Sequence, residues 1–129
     1  MQKKQKDKLD LAIRDTEKAI SLYDKHKSSP NDERIYFMLL AKSFEVLLEY
    51  SWKKLKAVIE SEGLEALTPK EIFKVAASVK LIKDPKFWID AINARNLSVH
   101  DYYSIPNAKY YELASKCVVE ARKIAKIKE

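Results

Sequence analysis

The chain has 129 residues, with 25 Lys and Arg, 19 Asp and Glu, one Cys, one Gly and four Pro, and a formal net charge of +6. A chain of this length hides roughly two-thirds of its unfolded surface without metals or disulfides, and the lone Cys117 forms no internal bridge. It therefore reads as one domain over 1–129, with a reduced, packed thiol suited to the cytoplasm. No apolar run approaches the ~20 residues of a membrane span, and no hydrophobic segment follows the Lys-rich start, so secretion and membrane insertion are excluded as expectations.

One glycine is far below the usual ~7%. All-β and α/β chains need more tight turns than that, whereas long helices need almost none, so the expected class is all-α. Proline is best tolerated in a first helical turn, and Pro30, Pro69, Pro85 and Pro106 mark helix starts. Over 8–25, Leu9, Ala12, Ile13, Ala19, Ile20 and Tyr23 recur at steps of three and four, which predicts an amphipathic helix. A longer helix follows over 32–62, carrying Ile35, Met38, Leu39, Phe44, Leu48, Trp52, Leu55 and Ile59 and stopped by Gly63.

Thr68, Pro69, Lys70 and Glu71 form a capping box that opens a third helix with Ile72, Phe73, Ala76 and Val79. Asp84 and Pro85 open a fourth, with Trp88, Ile89, Ile92 and Leu97 on its apolar side. Pro106 opens the last, with the stripe Tyr110, Tyr111, Ala114, Cys117, Val118, Ala121, Ile124 and Ala125. The predicted architecture is an antiparallel up-and-down helical bundle of four main helices and a shorter one.

Residues 1–29 carry eight Lys or Arg against five acids, 116–129 carry five against two, and the middle balances at twelve each. If the first and last helices are neighbours, they form one basic face that attracts a polyanion or simply keeps the chain soluble.

Packing explains most of the sequence but not residues 91–103. That segment gathers Arg95, Asn96, Ser98, His100, Asp101, Tyr102 and Tyr103 at the end of a helix. Asn96 and His100, four apart, share a face, whereas Arg95 and His100 lie about 140° apart on an ideal helix. Arginine with histidine suits phosphodiester chemistry: the guanidinium holds phosphate oxygens, and the imidazole moves a proton at neutral pH. No His, Cys and Asp cluster has metal-ligand spacing, so neither a metal nor another cofactor is expected. The alternative is structural, with Arg95 paired to a carboxylate and His100 capping the helix.

The run Arg95, Asn96, Leu97, Ser98, Val99, His100, Asp101, Tyr102 resembles the R-N-x-x-x-H-x-Y signature of the HEPN (higher eukaryotes and prokaryotes nucleotide-binding) domain family. The helix with Phe44, Glu45, Glu49, Trp52, Lys53, Leu55 and Lys56 is similar to that of its nucleotidyltransferase substrate-binding protein branch. The resemblance covers roughly 8–125. It implies a left-handed bundle that forms a homodimer and works beside a minimal nucleotidyltransferase (MNT), as a toxin that cuts RNA or as the transferase's substrate-binding subunit. It implies that Arg95 and His100 are the ribonuclease pair, Asn96 the polar residue beside them, and Tyr102 the tyrosine that receives AMP. Two positions depart from the branch: Asp101 stands where Thr is common, and Ser43 where Arg is common.

The leading expectation is a metal-independent endoribonuclease toxin in which a homodimer sets two Arg95 and His100 pairs around one phosphate. The alternative is a non-catalytic subunit that uses the same cleft for a nucleotide or phosphate, and the third is a helical adaptor. Glu45 and Glu49 either orient Arg95 or His100 or pair with solvent-side lysines such as Lys53. Trp52 and Trp88 are expected in the core or at a dimer interface, and His26 on the surface. The dimer is expected because Phe37, Leu40, Phe44, Trp52 and Trp88 do not all fit one core by helical angle. The Tyr102 hydroxyl is expected to reach solvent.

Overall fold

The computed structural model describes residues 2–128, with the side chains of 7–128. Among the described residues there is no strand. The helices are α1 (Gln2–His26), α2 (Pro30–Ser61), α3 (Pro69–Ser78), α4 (Pro85–His100) and α5 (Asn107–Ala125), with one 3₁₀ turn at Tyr102–Ser104 between the last two. The chain is an all-α helical bundle.

The helix boundaries follow local chemistry. Pro30 sits in the first turn of α2, Pro69 in that of α3 and Pro85 in that of α4. The Thr68 hydroxyl accepts from the Glu71 N–H at 3.2 Å, and the Asp84 carboxylate accepts from the Phe87 N–H at 3.1 Å. The Glu71 carboxylate bonds back to the Leu67 N–H, one residue before the cap. Gly63, at φ +81°, ends α2, with the Leu64 N–H reaching the Ile59 carbonyl at 3.0 Å. The same ending closes α3, but a lysine, Lys80 at φ +65°, occupies the left-handed position there. α1 starts well before the predicted residue 8. Its first turns are Lys- and Gln-rich, and straight side chains favour helix without any apolar face.

α2 spans 32 residues, roughly 48 Å, and is the spine. α1 and α5 pack along it and on each other, while α3 and α4 pair and lie against it. Asp24 meets Tyr111 and Glu17 meets Arg122, so α1 and α5 run in opposite directions. The core joins Leu9 and Ile13 of α1, Phe44, Leu47 and Ile59 of α2, Phe73 of α3, Trp88 of α4 and Tyr110 and Ile124 of α5. Cys117 is fully buried within it, and desolvation pushes its thiol pKa up, so the thiol is a packing group as expected. No described helix is long and apolar enough to cross a membrane.

One argument for a dimer does not survive. Phe37, Leu40, Phe44 and Trp88 all enter the core of the single chain, at 4% exposure or less, because α2 is contacted from several sides and needs apolar residues on more than one stripe. Uncovered apolar residues include Ile35, Met38 and Leu39 of α2, Val79 just past α3, and Leu97 and Val99 of α4, all given to the interior by periodicity alone except Val99.

Candidate functional site

α4 continues unbroken through Arg95 to His100, and Asp101 caps it by donating its N–H to the Leu97 carbonyl at 2.7 Å. Arg95, Asn96 and His100 are all exposed. Because the helix does not end between Arg95 and His100, the ~140° between them stands within one chain. The Arg95 guanidinium donates to the Asn96 side-chain oxygen at 3.1 Å. Its backbone is held from below: the Ser98 hydroxyl donates to the Arg95 carbonyl at 2.7 Å, and the buried Tyr110 hydroxyl reaches Ser98 at 3.4 Å. Burial raises the Tyr110 pKa, and the nearby Glu45 adds to the effect while Arg95 opposes it.

Arg95 and Asn96 form one wall of a cleft of about 450 Å³ between α2, α3 and α4. α2 contributes Lys42, Glu45, Glu49 and Trp52, and the N-terminal end of α3 contributes Thr68, Pro69 and Lys70. Val46, Leu48 and Ile92 make the apolar part of the lining. His100 is not among the lining residues. Glu45 lies 3.9 Å from Lys42 and Glu49 lies 3.8 Å from Lys53, so each acid is neutralised along its own helix and neither forms an ion pair with Arg95 or His100. Among the described residues Arg95 and Lys70 have no carboxylate partner. The cleft therefore offers two uncompensated cations, a ring and two partly neutralised acids, a set suited to an anionic ligand with a flat ring and hydroxyls.

Lys42, Lys70 and Thr68 have no place in the sequence reading of the site, and Trp52 has one only as a core or interface residue. Trp52 is half-buried at the cleft, with Lys53 over its ring at 6.0 Å. The signal was present on α2: Lys42, Glu45, Glu49 and Trp52 follow one another at steps of three and four, a polar face interrupting an otherwise apolar helix. His26 stacks on Tyr36 at 4.1 Å, away from this cleft.

The 3₁₀ turn corrects one expectation. The Tyr102 hydroxyl is buried and has no hydrogen-bond partner, with its ring against Phe37 at 5.7 Å. Tyr103 is the solvent-facing tyrosine, 72% exposed, with Arg34 over its ring at 4.9 Å and bonded to its hydroxyl. Helical spacing does not determine which of two adjacent tyrosines turns inward once the helix has ended; the Phe37 and Tyr110 rings below do.

Desolvation first, then the neighbouring Tyr110 and Tyr103, push the Tyr102 pKa up from 10.0 to about 12. A phenol shifted upward on folding contributes stability that is present below pH 10 and is lost as the pH rises through 12. Tyr102→Phe removes the unpartnered hydroxyl and should raise stability by about 1–2 kcal/mol at pH 7. It should also make the alkaline loss shallower without abolishing it, since Tyr110 is shifted the same way. Urea unfolding at pH 7, 10 and 12 checks both; a destabilised variant would mean that the hydroxyl has a partner in solution.

The model of a family described as nucleotidyltransferase substrate binding protein like matches residues 4–125. No curated protein matches the chain.

Proposed function

We propose a function from the premise that the chain belongs to the nucleotidyltransferase substrate binding protein like family: it is the binding subunit of a two-component nucleotidyltransferase, and its cleft holds a nucleotide or phosphate-bearing substrate for a separate minimal transferase. The observation that carries this reading is that Arg95 and Lys70, both without a carboxylate partner among the described residues, line one cleft with Trp52. A guanidinium grips two phosphate oxygens in a fork. Lys70, in the first turn of α3, adds its charge to the positive end of that helix. Trp52 gives a ring for a base to lie on, and Glu45 and Glu49 accept hydroxyls from a sugar. Nothing in this set has to move a proton, which suits a subunit that presents a substrate rather than transforms it.

A second reading is favoured by the exposure of the whole α4 motif. Arg95, Asn96 and His100 stand open, and among the described residues Val99 on the same helix and Ile35, Met38 and Leu39 on α2 are exposed apolar side chains. In a homodimer seated there, His100 of one copy faces Arg95 of the other. His100 then takes the proton from a ribose 2′-hydroxyl, whose oxygen bonds to the adjacent phosphorus as the bond from phosphorus to the 5′-oxygen breaks. Arg95 steadies the phosphorane charge, the imidazolium returns its proton to the leaving 5′-oxygen, and the chain is a metal-independent ribonuclease toxin. Silencing by AMP on Tyr102 then requires the 3₁₀ turn to open first, because the acceptor oxygen is buried.

One preparation tests both. Titrating purified protein with AMP and with ATP, read by tryptophan fluorescence, should give a saturable change, and incubation with single-stranded RNA in EDTA should give no cleavage. Cleavage leaving 2′,3′-cyclic phosphate ends establishes the second reading. Neither nucleotide binding nor cleavage overturns both.

A further inference from the structure

A second concavity lies on the other side of the bundle, between α1 and α5. It has a volume of about 440 Å³ and is lined by Asp10, Ile13, Arg14, Arg122, Ala125 and Lys126. We propose that this groove binds the phosphate backbone of double-stranded nucleic acid, independently of sequence and of the cleft at Arg95.

The fold itself builds the charge. Over the described side chains, 116–128 carry five bases against one acid and 7–29 carry five against five, and the groove gathers Arg14, Arg122 and Lys126 against Asp10. These segments are distant in sequence, and the contact between α1 and α5 brings them side by side. Arg14 and Lys126 face the groove from opposite walls, exposed, with no carboxylate partner among the described residues. Arg122 lies between the two helices and is bonded to Glu17, an exposed pair that contributes little and exchanges readily for another anion. Cations on two parallel walls, rather than scattered over a convex face, suit a ridge of phosphates.

The groove favours this ligand over an acidic protein. Its apolar floor is Ile13 and Ala125, both buried, and it contains no large exposed aromatic or aliphatic anchor of the kind on which protein interfaces rest. The lack of an aromatic ring among the lining residues also disfavours single strands, whose bases stack on such rings. Arg14 is twelve residues before the C-terminal end of α1, roughly 18 Å along the helix axis. That end is where Tyr111 meets Asp24, close to the α4 to α5 connection. The groove is thus spatially separate from the residues of the proposed function, and its test does not depend on theirs.

The test is fluorescence anisotropy with a labelled 2′-O-methyl RNA duplex, which no attack from a 2′-hydroxyl can cleave, in EDTA over a series of KCl concentrations. The pair Arg14→Gln with Lys126→Gln should weaken binding about tenfold at low salt and reduce the slope of log K against log salt by about 2. Lys74→Gln with Lys83→Gln, an equal loss of charge at exposed positions elsewhere, should leave both nearly unchanged. Equal weakening by the two pairs reduces the effect to net charge and overturns the proposal. Unchanged duplex binding by the groove pair also overturns it. So does loss of association with a transferase while duplex binding persists, which would assign the groove to a protein.

Discussion

Replacing Trp88 with alanine should cost about 3–5 kcal/mol, enough to lower the melting temperature by roughly 10–20 °C in a chain of this size. Trp88 is 1% exposed, stacked on Phe73 at 4.7 Å and met edge-on by Phe87 at 5.3 Å. Truncation leaves a cavity where α3 and α4 pair, and the aromatic partners lose their contacts without gaining water. Trp52→Ala should cost far less, because that ring already borders the open cleft. Thermal unfolding followed by circular dichroism compares the two; similar losses would mean that Trp52 is as much a core residue as Trp88.

Arg95→Ala should lower the affinity for AMP by about 10- to 100-fold, the value of a charge-assisted hydrogen bond to phosphate. Its stability should change little, since the side chain is exposed and, among the described residues, Asn96 is its hydrogen-bond partner. His100→Ala should leave affinity within about twofold, because the imidazole is not part of the cleft lining. Calorimetric titration of both variants reads the contrast. Equal losses would draw His100 into the binding site and favour the ribonuclease reading, in which the two residues act together across a dimer.

The helices were legible because their punctuation is covalent and local. Proline lacks an N–H and so belongs to a first turn, and Gly63 alone takes φ +81° without strain, so the boundaries near 30, 63, 69 and 85 could be read directly. Lys80 shows the limit of that signal, since a lysine occupies the same left-handed position and carries no mark in the sequence. The interior was legible along α5, where one apolar stripe serves both of its neighbours, α1 and α2. It was misread on α2, where several neighbours call for several apolar stripes and leave Ile35, Met38 and Leu39 outside. Arg95, Asn96 and His100 were singled out by motif and spacing, of which Arg95 and Asn96 line the cleft, and Lys42, Lys70 and Trp52 were not singled out for it. Lys42 and Trp52 share one face of α2, and Lys70, from a separate part of the sequence, meets them only when α3 folds back on the spine.

The cleft is also a seam. One of its walls, α2, belongs to the closely packed group it forms with α1 and α5, whereas the others belong to the α3 and α4 pair, which touches that group over a smaller area. A ligand held at Trp52, Lys70 and Arg95 spans the boundary as a clasp, and its binding free energy adds directly to the work of parting the two units. Occupancy would then set how often the seam breathes, and amide protons in α3 and α4 would exchange slowly in the loaded protein and faster in the empty one, while those of α1 and α5 keep one rate. Cargo and scaffold would be coupled through mechanics alone, so a partner docking across α3 and α4 could distinguish a loaded subunit from an empty one without touching the ligand.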